Sequence, residues 1–134
     1  MATVSVAVGV AASAAVVWDA VSDVGNVHRR MLPGRVADVV MDGDVRVLTM
    51  PDGHLVRELV LAVDHELRRM AYTVTDGQRL PLTYHHAAFQ VFEDGEHSRL
   101  VWTTDVLPHP AAALVRPRVE IGIQEIKAVL EAGR

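Results

Sequence analysis

Asp-Gly pairs at Asp42-Gly43, Asp52-Gly53, Asp76-Gly77 and Asp94-Gly95 each lie between runs rich in Val, Leu, Thr and aromatic residues. A tight hairpin turn needs positive φ, which Asp and Gly tolerate at low cost, so each pair marks a strand reversal. With the polar corner at Asp64-His65-Glu66, they divide residues 35–107 into about six strands: 35–41, 44–50, 54–63, 67–75, 82–92 and 97–107. No segment between them is long enough for a helix. The middle of the chain therefore reads as an antiparallel meander.

The flanks read differently. Val4, Val6, Val8 and Val10 alternate with small residues, the period of a strand over 3–10. Ser13 is placed as the N-cap of a helix over about 14–22 whose apolar stripe is Val17, Trp18, Val21 and Val24. Asn26 to Leu32 allows one more short helical turn before Pro33-Gly34. After Pro108-His109-Pro110, Val115, Val119, Ile123, Ile126 and Leu130 recur at helical spacing up to Gly133. Pro117 falls inside that run, and an interior proline removes a backbone hydrogen bond, so a kink or a fresh start is expected there.

A chain of 134 residues suits a single domain, 1–134, able to bury a core without staples. It carries no cysteine, which excludes disulfides, thiolate metal sites and thiol nucleophiles together and is compatible with a cytoplasmic location. A net charge of −4 and the lack of any basic run argue against nucleic acid. The apolar N-terminal stretch lacks a charged leader and alternates as a strand does, so it reads as structure and not as a secretory signal. No apolar run reaches the ~18 residues of a membrane span, so no stable membrane insertion is expected. Arginine outnumbers lysine twelve to one, a bias of GC-rich bacterial genomes.

The order of strand, helix pair, six-strand meander and long closing helix resembles the α+β helix-grip fold of the SRPBCC superfamily. That superfamily includes START domains, polyketide cyclase/dehydrase-like proteins, birch-pollen-allergen-like proteins and the plant abscisic-acid receptors. The local matches are Trp18 to Asp23, Gly25 to Arg30, Val56 to Leu59, Arg68 to Tyr72, Arg99 to Trp102 and Gly122 to Lys127. The resemblance covers nearly the whole chain. It implies a curved sheet of about seven strands wrapped around the C-terminal helix, with an apolar cavity between them that takes a small hydrophobic molecule. Many relatives carry an aromatic where this chain has Arg30 or Met31, so the cavity mouth is expected to differ.

Successive strand residues face opposite sides, so each strand offers two candidate sets for the cavity. After Pro81, Thr83, His85, Ala87, Phe89 and Val91 form the more apolar set and are assigned inward, which makes His85 the histidine nearest a ligand. On 54–63, Val56, Glu58, Val60 and Ala62 compete with Leu55, Arg57, Leu59 and Leu61, and similarity to the abscisic-acid receptors places Glu58 inward. A buried Glu58 then needs a partner or a raised pKa, with His85 or a ligand as candidates. Tyr72 and Val74 extend the wall, as does Thr103 with Asp105 or, alternatively, the Leu100/Trp102/Thr104 set. Leu114, Val115, Val119 and Gly122 would form the helical side. By the same resemblance, Met50, Pro51 and Gly53 on one loop and Arg79 and Leu80 on another would gate access.

Two functions follow from this pattern. One is a binding or carrier protein for a polyketide- or lipid-like molecule, which needs only a few polar groups to orient it. The other is a cyclase or dehydratase in which His85 acts as acid or base, Glu58 or Asp105 orients it and Tyr72 steadies an enolate. An interaction module with a filled interior is a third. His85 and His86 diverge across the sheet, and no clustered ligands at helical spacing accompany them, so no metal is expected. No dinucleotide, P-loop or nucleophile-elbow motif is present, and no cofactor is expected. The expected assembly is a monomer or a homodimer.

Overall fold

The structure is a computed structural model and describes residues 1–133. Strand β1 (Ala2–Val10) leads through α1 (Ala14–Ser22), a 3-10 turn and α2 (Val27–Arg30) into six consecutive strands. These are β2 (Asp38–Asp42), β3 (Val45–Thr49), β4 (Leu55–Asp64), β5 (Arg69–Asp76), β6 (Tyr84–Asp94) and β7 (His97–Leu107). A second 3-10 turn at His109–Ala111 then opens α3 (Ala112–Ala132). All seven strands form one antiparallel sheet in the order β1-β7-β6-β5-β4-β3-β2. The helix-grip architecture expected from the sequence is present.

Local chemistry accounts for most of the boundaries. The Ser13 side chain accepts from the Val16 N–H at 3.2 Å and starts α1 at Ala14. Three of the Asp-Gly pairs sit in short reversals between successive strands, with their glycines at positive φ. Asp76-Gly77 is different, because it opens a loop of residues 77–83 and not a tight hairpin. Gly77 has φ +81, and a Cβ there would lie 2.2 Å from the Leu55 carbonyl oxygen, so only glycine lets this loop leave β5 against β4. The strand expected from residue 35 begins at Asp38, since residues 32–36 close a turn through Leu32 carbonyl bonds. At the β4–β5 corner the Asp64 carboxylate accepts from the Glu66 and Leu67 N–H groups, and Arg68 takes the positive φ.

Neither a fresh start nor a break occurs at Pro117, because α3 runs as one helix over its 21 residues. Its two halves do different work. Ile123, Ile126 and Leu130 join Val17, Trp18, Val21, Phe89 and Leu100 in the main core. Val115 and Val119, nearer the start of α3, pack in a smaller cluster with Ala2, Val4 and Val106. The helix is thus anchored along its C-terminal half, and its N-terminal half roofs the space beside β4, β5 and β6. Gly122 marks the transition, since a Cβ there would fall 2.9 Å from the Trp102 ring, so its absence lets helix and sheet approach.

Candidate functional site

Between the first half of α3 and the sheet lies a cavity of about 570 Å³. Its wall takes Val56 and Glu58 from β4, Tyr72 and Val74 from β5, His85 from β6, Trp102 and Thr104 from β7, and Val115 and Val119 from α3. Two loops close over it, contributing Met50, Pro51 and Asp52 on one side and Gln78, Arg79 and Leu80 on the other. They are tied together. Arg79 Nη2 donates to Asp52 Oδ2 at 2.6 Å, and His54 Nε2 meets the Gly77 carbonyl at 2.8 Å. The Arg79 bond, with a second from the His54 backbone N–H, holds the Asp52 carboxyl below its usual pKa.

The inward set on β6 follows the expected parity, but the residues serve different purposes. His85 reaches the cavity, whereas Ala87 and Phe89 are buried in the core beyond it. Thr83 precedes β6 and is exposed, its N–H given to the Leu107 carbonyl. On β7 the choice between faces goes against Thr103 and Asp105. Register pairs Phe89 with Trp102 and Ala87 with Thr104, so Leu100, Trp102 and Thr104 share the inward face. Asp105 instead accepts from Thr3 Oγ1 at 2.5 Å on the outer face, and Thr103 pairs with Ser5 there at 3.1 Å. Val60 is half-buried beside a bulge between Val60 and Ala62 and stands off the cavity. Leu114 is 49% exposed and points away, Gly122 abuts Trp102, and Gly53 holds a turn at φ +89 without reaching the wall.

Glu58 faces in, and its partner is neither His85 nor solvent. Arg46 stands directly opposite it in the β3–β4 register and donates from Nε to Glu58 Oε1 at 2.7 Å. The side chains are 3% and 12% exposed, and Arg46 also donates to the Val24 carbonyl at 3.2 Å. Its guanidinium lies 5.0 Å from the Tyr72 ring centroid, a cation–π distance. Sequence reasoning missed Arg46, although one signal was available. A hairpin centred on residue 52 pairs positions equidistant from it, which brings 46 opposite 58.

His85 is held by β5. The Val74 N–H donates to its Nδ1 at 3.2 Å, and Thr73 Oγ1 donates to its backbone carbonyl. A neutral imidazole that accepts at Nδ1 carries its proton on Nε2, so its free nitrogen is a donor. Burial, with the nearby His86 adding, pushes the His85 pKa down to about 4. Tyr72 is held neutral too, because burial, aided by the Glu58 charge, raises its phenol well above the usual range. The Trp102 indole N–H, close enough to the Tyr72 hydroxyl to favour its anion slightly, is buried without completing a hydrogen bond.

The His85 shift has a consequence for acid stability. Between pH 6.5 and about 4 the unfolded chain binds a proton at this position and the folded one does not, so stability falls as pH is lowered through that window. After allowance for its partial exposure, the effect is about 1–2 kcal/mol. Urea titrations at pH 7 and pH 5 are expected to show that loss in the wild type and a smaller one in His85→Gln. Histidine NMR titrations should leave the His85 ring uncharged down to about pH 5. A His85 midpoint near the ordinary value would contradict the geometry.

This arrangement can hold an apolar body and direct a few hydrogen bonds at it. It does not assemble a histidine–carboxylate pair, since Glu58 is bound to Arg46 and Asp105 lies on the opposite face. Among the described residues no group of His, Asp and Glu is placed to hold a metal, and no helix is long and apolar enough to cross a membrane.

Solved structures share this framework. A protein from Thermobifida fusca is 28% identical, with 95% of this chain and 91% of that chain covered and a TM-score of 0.79. Norcoclaurine synthase from Thalictrum flavum, in a complex with dopamine and hydroxybenzaldehyde, is 21% identical with a TM-score of 0.72, covering 98% of this chain and 84% of that one. A START superfamily protein from Mycobacterium smegmatis is 19% identical with a TM-score of 0.74, covering 97% and 94%. The last two share the fold. No curated protein matches the chain. The sequence profile described as polyketide cyclase / dehydrase and lipid transport matches residues 1–131, nearly the full length, and the chain belongs to that family.

Proposed function

We propose that the protein binds a small hydrophobic or amphipathic molecule, of polyketide- or lipid-like character, in the cavity beneath the first half of α3. The observation that supports this most is the cavity itself. It has about 570 Å³ of space, a largely apolar wall, and few polar groups to orient a guest. The fold's use in norcoclaurine synthase to hold dopamine and hydroxybenzaldehyde is consistent with that role. His85 Nε2–H would donate to an oxygen on the ligand, and Tyr72 would lay its ring along the apolar body. The Arg46–Glu58 pair, anchored by the Val24 carbonyl, would fix the floor.

A turnover role draws less support from the side chains. A histidine that accepts from a backbone N–H and resists protonation is a hydrogen-bond donor first and a poor general base. Binding predicts an upward shift in melting temperature with hydrophobic small molecules. At a ligand concentration one hundred times the Kd, the stabilisation is about 2.7 kcal/mol. A thermal-shift screen of aromatic and aliphatic alcohols, ketones and acids tests it. Unmoved melting curves across the whole screen would count against the proposal.

A further inference from the structure

The polar groups around the cavity divide unevenly into those already paired and those still open. Acceptors are mostly engaged. Glu58 is neutralised by Arg46, Asp52 accepts from Arg79 and from the His54 N–H, the Gln78 side-chain oxygen accepts from the Leu80 N–H at 3.2 Å, and His85 Nδ1 accepts from Val74. What stays open is mainly donors: His85 Nε2–H, the Gln78 amide N–H groups and Arg118. The hydroxyls of Tyr72 and Thr104 serve either way.

Charge points in the same direction. Arg46 with Glu58 and Arg79 with Asp52 each sum to zero, and both His85 and Tyr72 are uncharged at neutral pH. Arg118, one turn along α3 from Val115 on the cavity-facing side, lines the mouth and has no ion pair or hydrogen bond among the described residues. Arg116, two positions earlier, lies 4.0 Å from Glu120 and takes no part in the wall. Counted with Arg46, which pairs with Glu58 from behind the wall, the charged groups of the cavity sum to +1 in a protein whose formal charge is −4.

Building on the reading that this cavity binds a small molecule, we propose that its guest is an acceptor-bearing organic monoanion whose charge is met by Arg118 at the mouth. An anion so placed keeps its head near solvent, where desolvation is cheap, while its apolar body fills the space under Val115 and Val119. A cationic amphipath would meet Arg118 unfavourably, and a neutral donor-rich molecule would find few open acceptors. Arg118 is a specificity residue in this account and takes no part in folding.

Two fluorescent probes with the same ring skeleton separate the charge from the body: anilinonaphthalene sulfonate and the uncharged N-phenylnaphthylamine. Both are expected to bind, the sulfonate about fivefold more tightly, which is the scale of one solvent-accessible ion pair. Arg118→Gln is expected to cancel that preference, and added sodium chloride to erode it. Arg116→Gln, which removes the same charge from a position off the wall, is expected to keep it. Equal affinities in the wild type, or a preference that survives Arg118→Gln, would overturn the anion proposal and leave the cavity reading standing. Failure of both probes to bind would overturn the cavity reading and this inference with it.

Discussion

Glu58→Gln is expected to lower the stability of the folded chain by about 3–5 kcal/mol, the range for removing one member of a buried ion pair. The reason lies in what remains. Arg46 is 3% exposed and would keep its charge with no carboxylate beside it, leaving the Val24 carbonyl and the Tyr72 ring as its near neighbours. Neither supplies a full counter-charge. Urea denaturation measures the loss directly. A drop under about 1 kcal/mol would mean that water reaches the pair and that the floor of the cavity is wetter than its burial implies. The companion variant Glu58→Gln/Arg46→Met removes both charges, and a buried pair replaced by well-fitting uncharged groups is often close to neutral. It should recover much of the stability, less the unpaired Val24 carbonyl.

The second large effect is on binding. Val119 is buried in α3 and lines the cavity from above, on the turn following Val115. Val119→Trp should place an indole in the open space, displace a guest and weaken probe binding by about a hundredfold, near 2.8 kcal/mol. A stability cost of about 1–3 kcal/mol is expected alongside, because Val119 also packs against Ala2, Val4 and Val106 and part of the larger ring presses on that cluster. Isothermal calorimetry with N-phenylnaphthylamine and a melting curve on the same sample separate the two quantities. Unchanged affinity in a variant that still melts cooperatively would place the binding site elsewhere on the protein.

Much of the architecture was legible because its determinants are local. The Asp-Gly turns, the Ser13 cap and the valine stripe of α1 act over a few residues, and the corresponding boundaries lie close to the expected ones. Faces were legible where one side of a strand is plainly more apolar, as on β6. They were not on β7, where Val101 and Thr103 on the outer side look as suitable as Trp102 and Thr104 on the inner. There the outer face packs small side chains such as Ala7 and Ala88, and only the pairing of Phe89 with Trp102 separates the two. The partner of Glu58 depended on register between strands, which no single-strand pattern contains. Arg118 was hidden for a different reason. A cation beside an apolar helical stripe is the common pattern of a solvated helix edge, and its position over a cavity mouth emerges only when α3 is laid on the sheet.

The account rests on an interior space that accepts a guest. Intermolecular nuclear Overhauser effects between N-phenylnaphthylamine and the methyl groups of the protein test it most directly. The expected result is a set of contacts to Val56, Val74, Val115 and Val119, with the Trp102 indole N–H resonance shifting on titration. Contacts confined to Ala88, Val101 and the outer face of the sheet, or none at saturating probe, would contradict it.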